Sequence, residues 1–156
     1  MSLVDKIFPD LSNVKKVLNY YDARYNEAME DLVLNMKKYG EANSEQAELY
    51  ARYSSYENEL SILYEDMQHR TSVALAKAYE HLIKSSGRQY TEKQLAVLSE
   101  QNADLMKSKK ACFEIKERLL LFGSVVDGFK QRGFTLRNLT TIRAGDFQND
   151  YIFLDD

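Results

Sequence analysis

Apolar residues recur along the first forty positions at Leu11, Val14, Leu18, Tyr21, Tyr25, Met29, Leu32, Met36 and Tyr39. The steps of three and four residues trace a heptad stripe with one change of register between Tyr25 and Met29, which predicts a helix with a packing seam. Pro9-Asp10 suits its first turn, with Asp10 or Ser12 to cap it, and the run carries to about Tyr39-Gly40. After a turn over 40–44, Leu49, Tyr53, Tyr56, Leu60, Leu63 and Met67 repeat the pattern, predicting a second helix from about Glu45 to Ser86. Gly87 is its expected stop. Thr91-Glu92-Lys93-Gln94 has the form of a capping box and opens a third helix running to about Arg132. The expected seam of that helix is Leu98, Asn102, Leu105, Lys109, Cys112, Lys116 and Leu119, three of them polar.

Beyond Leu119 the third helix turns apolar on most of its circumference, through Leu120, Leu121, Phe122, Val125, Val126 and Phe129. Arg132-Gly133-Phe134-Thr135 reads as a Schellman stop that folds Phe134 back on Phe129, with Thr135 capping a short last helix bearing Leu136, Leu139 and Ile142. The sole proline is Pro9, and no alternation of β-branched runs with turn residues is present, so the fold class is all-α. The expected architecture is a coiled-coil-like hairpin of long helices with a C-terminal apolar helical region for oligomerisation. Its divisions are 1–90, 91–145 and an acidic tail, 146–156. Helices of about forty residues reach about 60 Å, more than one small globule covers, so the excess seam predicts self-association or a partner that covers it.

Composition excludes several classes. The 156 residues carry 44% hydrophobic and 29% charged side chains, a globular balance rather than a disordered one. Cys112 is the single cysteine, so neither an intramolecular disulfide nor a cysteine zinc site exists and a reducing compartment is expected. No apolar run approaches the ~18 residues of a membrane span, and Met1-Ser2-Leu3-Val4-Asp5-Lys6 is no export signal. The expectation is a cytoplasmic protein with no membrane partner. Phosphate-loop, dinucleotide and HExxH patterns are absent, and His69 and His81 are the only histidines, leaving a single degenerate Asp66–His69 pair. Neither an enzyme nor a cofactor is expected.

The net charge of −3 conceals a strong asymmetry. Residues 41–66 hold one basic and seven acidic groups, residues 67–144 hold 14 and seven, and residues 145–156 hold none and four. Arg70, Lys77 and Lys84 recur every seven residues on one helical face, with His81 beside them and Arg88 just beyond. The row starts as apolar Tyr56 and Leu63. Drift of the buried face toward Met67, Thr71, Ala74, Ala78 and Leu82 would leave its basic end to solvent or to phosphate. Lys93, Lys107, Lys109 and Lys110 add charge from the next helix, and Tyr79 and Tyr90 are rings able to stack on unpaired bases. A solvated helix face carries the same signature, so the pattern alone leaves both readings open.

Residues Tyr90 to Phe147 resemble the UvsY family, the recombination mediators of large tailed phages. The resemblance is carried by Tyr90-Thr91-Glu92-Lys93, the polar helix through Lys107 to Lys110, Leu119-Leu120-Leu121-Phe122-Gly123, and Phe129-Lys130-Gln131-Arg132-Gly133-Phe134 followed by Leu139 and Ile142-Arg143-Ala144. Val73 to Tyr79, through Ser86-Gly87-Arg88, looks like the family's proposed single-strand-binding stretch, with Tyr79 where the family pattern has arginine. The match covers roughly half the chain and leaves 1–45 and the acidic tail outside it. It implies a homo-oligomer, a ring among its open arrangements, that binds single-stranded DNA and loads a RecA-like recombinase in place of a single-strand-binding protein. Arg70, Lys77, Lys84, Arg88, Lys93, Lys107, Lys109 and Lys110 would then meet phosphate. Leu119, Leu120, Phe122, Val126, Phe129, Phe134, Leu139 and Ile142 would bury the subunit interface. The alternative from the same helices is a coiled-coil structural or adaptor protein without nucleic-acid binding. The tail's Tyr151-Ile152-Phe153-Leu154-Asp155-Asp156 fits either, as a recruiting segment, an occupant of the basic groove or a plain terminus.

Overall fold

Breaker-free sequence and local caps give four α-helices in the computed structural model, which describes residues 13–34, 38–87 and 89–143. They are α1 (Val14–Leu32), α2 (Tyr39–Ser86), α3 (Glu92–Ser99) and α4 (Ala103–Arg143). The protein is all-α, with no strand among the described residues. The start near Pro9, Met36 in the first stripe, Arg88 and the 146–156 tail lie outside the described residues.

Several helix ends have a local cause. Thr91 and Gln94 form the reciprocal capping box of α3: Thr91 Oγ1 accepts from Gln94 N at 3.3 Å and Gln94 Oε1 accepts from Thr91 N at 3.0 Å. Gly87 ends α2 with φ +60°, a conformation that strains any residue with a Cβ. Gly87→Ala is therefore expected to cost about 1 kcal/mol, read as a fall of ~2–4 °C in the midpoint of a thermal melt. The turn after α1 comes earlier than expected. The helix closes at Leu32, and Leu34 leaves it to pack with Ala42 and Leu136, flanked by Tyr39 and Leu139. The next helix, α2, begins at Tyr39, so Gly40 stands in a first helical turn rather than at a stop.

Two further expectations are corrected. The helix that opens at Thr91 is interrupted at Glu100–Asn102, where Asn102 Oδ1 accepts from the backbone N–H of Asp104 (3.1 Å) and Leu105 (3.0 Å) and so starts α4. This resets the helical phase. The buried row of α4 begins Leu105, Ser108, Ala111, Ile115, while Lys109 and Lys116 of the expected seam face solvent. Nor does Gly133 stop a helix: α4 runs unbroken from Ala103 to Arg143, and no separate short helix follows. A Cβ on Gly133 would stand 3.2 Å from Gln46 Nε2, so the missing side chain serves the approach of α2. Thr135 sits inside the helix, its hydroxyl donating to Gln131 O at 3.1 Å, and Phe134 is 53% exposed rather than folded on Phe129.

The chain divides into two compact units, one holding the described residues up to Leu18 with Glu59–Arg118, the other Asn19–Asn58 with the rest from Leu119. The first unit buries Val14, Val17, Leu18, Leu60, Leu63, Met67, Ala78, Leu95, Leu105 and Ile115. The second is built on rings. Phe122 meets Tyr21, Tyr25 and Tyr56 edge-on at 5.8–6.4 Å, and Tyr53 stacks on Phe129 with centroids 4.9 Å apart. The Tyr53 hydroxyl donates to Asp31 Oδ2 at 2.7 Å; burial, then that bond, pushes its pKa well above the ordinary range.

These contacts correct part of the expected interface. Phe122, Val126 and Phe129 are at most 4% exposed within their own chain and have no side-chain surface to offer a second subunit. Arg132 is equally buried, donating to Ala42 O at 3.3 Å and to Gln46 Oε1, with burial pushing its guanidinium pKa down. Of the expected interface residues, Leu120, Phe134 and Ile142 are exposed, and Leu119 and Leu139 are half-buried.

Candidate nucleic-acid interface

The second half of α2 buries the face that drift from the heptad row dictates. Met67 and Ala78 are buried, and Thr71, Ala74 and Leu82 are half-buried. The basic row consequently lies on an adjoining, wetter face: Arg70 is half-buried, and Lys77 and Lys84 are exposed. Seven residues separate Arg70 from Lys77, about 10.5 Å along the helix axis.

Within the first unit these two cations line an open groove of about 390 Å³. His69, Arg70, Val73, Ala74 and Lys77 form its α2 wall, and Asn102, Asp104 and Ser108 form the wall at the start of α4. The break at Asn102 places that opposite wall, since a helix continuing from α3 would present a different set of side chains. Ser108 is 5% exposed and Val73 40%, so the groove combines a small polar base with an apolar shoulder. Arg70 and Lys77 outnumber its one carboxylate, Asp104, and leave it net positive. Such a channel can neutralise a phosphate backbone without reading bases, and its affinity would fall as salt rises.

The other sequence candidates are placed differently. Lys84 lies further along α2, paired with Glu80 at 2.5 Å, both side chains more than half exposed. Lys93 is exposed in the first turn of α3. Lys107 is exposed on α4, while Lys109 approaches Glu100 at 3.6 Å and Lys110 approaches Glu114 at 3.9 Å. Exposed pairs of this kind contribute little to stability and leave the cations able to exchange partners. None of these lysines lines the groove, and Arg88 lies outside the described residues. Tyr79 and Tyr90 are half-buried and do not line it either. His69, Asn102, Asp104 and Ser108 join the groove without belonging to the basic row; in the sequence, only the pairing of Asn102 with a vacant N-terminal turn signals the α4 wall.

Among the described residues no group of three His, Cys, Asp or Glu side chains could hold a metal ion, and no helix is long and apolar enough to cross a membrane. Burial pushes the Cys112 thiol pKa up, away from thiolate reactivity. Compared with family profiles, curated proteins and solved structures, the chain matches none of them.

Proposed function

We propose that the protein is a recombination mediator that binds single-stranded DNA as a homo-oligomer and promotes loading of a RecA-like recombinase in place of a single-strand-binding protein. The observation that carries this reading is the meeting of Arg70 and Lys77 in one net-positive groove, with Lys77 inside, and Arg70 just before, the stretch that resembles the UvsY family's single-strand-binding segment. Lys84, Lys93, Lys107, Lys109 and Lys110 supply further exposed charge in the same unit. A groove with two cations is a weak site alone. Repeated around an oligomer, such sites act on one strand at high effective concentration and become tight together. The mediator supplies binding energy, and nucleotide hydrolysis belongs to the recombinase.

A second reading, a helical adaptor that binds another protein, is favoured by the exposed apolar residues of α4, with Phe113 and Leu120 each 63% exposed and Ile142 71%. Anisotropy of a labelled oligo-dT separates the two. The mediator is expected to prefer the single strand over a matching duplex competitor and to bind less tightly as salt rises. Absence of binding at low salt would leave the adaptor.

A further inference from the structure

A second groove, of about 530 Å³, lies in the other unit. Its walls come from the beginning of α2, including Gln46 and Tyr50, and from α4, including Lys130, Gly133, Phe134 and Arg137. Lys130, Phe134 and Arg137 follow at steps of four and three, so one face of α4 presents cation, ring and cation over about 10.5 Å of helix. Two rings stand in water, Tyr50 at 38% and Phe134 at 53% exposure, and the Arg137 guanidinium lies 5.5 Å from the Phe134 ring centroid. No carboxylate lines the groove among the described residues, and Lys130 reaches Asp127 outside it at 2.8 Å.

Cations flanking exposed rings match a single strand of nucleic acid, in which phosphates alternate with bases whose faces are open. In a duplex those faces are stacked on their neighbours, whereas every unpaired base offers a π-face to an aromatic side chain. The basic groove of the first unit has no phenyl or phenol ring among its lining residues, and a grip on phosphate alone holds duplex and single strand alike. We propose that Tyr50 and Phe134 stack unpaired bases, with Lys130 and Arg137 on the flanking phosphates, and that this second site, which rests on the protein's being a DNA binder, supplies the single-strand preference that the basic groove lacks. An acidic, aromatic peptide would meet the same rings and charges but fits less well. Both walls are helical, with backbone groups bonded within their own helices, so an extended peptide finds no main-chain edge to pair with. A single strand needs only cations and rings.

Anisotropy of the full-length protein with labelled oligo-dT, its matching duplex and an abasic oligonucleotide of equal length separates stacking from charge. Stacking on a ring is worth about 5- to 150-fold in affinity per base. Tyr50→Ala with Phe134→Ala is therefore expected to lower oligo-dT affinity by at least about tenfold and to leave the abasic and duplex affinities and the salt slope unchanged. Tyr50→Phe with Phe134→Tyr is expected to keep the parent preference. Both positions are exposed, and circular dichroism checks that helicity is retained. An unchanged oligo-dT affinity in the alanine pair would overturn the proposal, as would an equal fall for the abasic strand. Either result leaves the mediator reading standing on Arg70 and Lys77, whereas a parent protein that binds no strand at low salt overturns both. A synthetic peptide rich in aspartate and phenylalanine that binds the parent but not the alanine pair, with oligo-dT affinity unmoved, would assign the groove to a protein partner and overturn the proposal.

Discussion

Replacing Arg70 and Lys77 together by glutamate is expected to lower the affinity for single-stranded oligo-dT by roughly 100-fold at moderate salt, at about 1.4 kcal/mol for each reversed charge. These are the two cations that share the groove, and each reversal both removes a phosphate partner and adds repulsion beside Asp104. The dependence of log affinity on log salt should flatten by about 0.7 for each phosphate that a protomer no longer neutralises, which separates a weakened ionic grip from misfolding. Stability should move little, since Lys77 is exposed and Arg70 half-buried. Lys109→Glu with Lys110→Glu is the matched control: the same charge change on the same unit, but outside the groove and beside Glu100 and Glu114. A small reduction in affinity is expected there. Equal reductions from the two pairs would reduce the groove to part of a diffuse positive field, and an unchanged affinity for the Arg70 and Lys77 pair would sink the DNA reading.

The heptad arithmetic that found this row shows how far the sequence is legible. Arg70 and Lys77 share a face for a purely local reason, the seven-residue repeat of one helix, and Thr91, Gln94 and Gly87 announce their caps just as locally. The opposite wall of the groove depends on α4 starting at Asn102, a break marked by neither glycine nor proline. Without it the phase of the following helix is wrong, and Lys109 and Lys116 fall on the seam in place of Ser108, Ala111 and Ile115. Gly133 errs in the opposite sense. Arg-Gly-Phe-Thr has every local mark of a stop, and the contact its glycine serves instead, the close approach of the Gln46 side chain, lies 87 positions away. Apolarity likewise announces that Phe122, Val126 and Phe129 are buried, but not whether their own chain or another covers them. The rings of Tyr21, Tyr53 and Tyr56 answer that only once folded.

Phe122→Ala is expected to destabilise the protein by about 3–5 kcal/mol, because it removes a fully buried ring and leaves a cavity among three tyrosines. The deficit is a large share of the ~5–15 kcal/mol that stabilises a typical domain, and at ~2–4 °C per kcal/mol it lowers the melting midpoint by about 6–20 °C. Leu120→Ala, two positions earlier and 63% exposed, is expected to stay within about 0.5 kcal/mol of the parent when protomers are separate. Protein concentration decides where Phe122 acts. Stabilisation supplied by subunit association follows mass action, so an interface variant loses stability most at low concentration and recovers at high. A core variant loses the same amount at both. The expected result is an equal fall in the Phe122→Ala midpoint at two concentrations a hundredfold apart, with any concentration-dependent change confined to Leu120→Ala and Ile142→Ala. A Phe122→Ala deficit that disappears at the higher concentration would return this ring to the subunit interface and transfer the core of the second unit to an assembly of several chains.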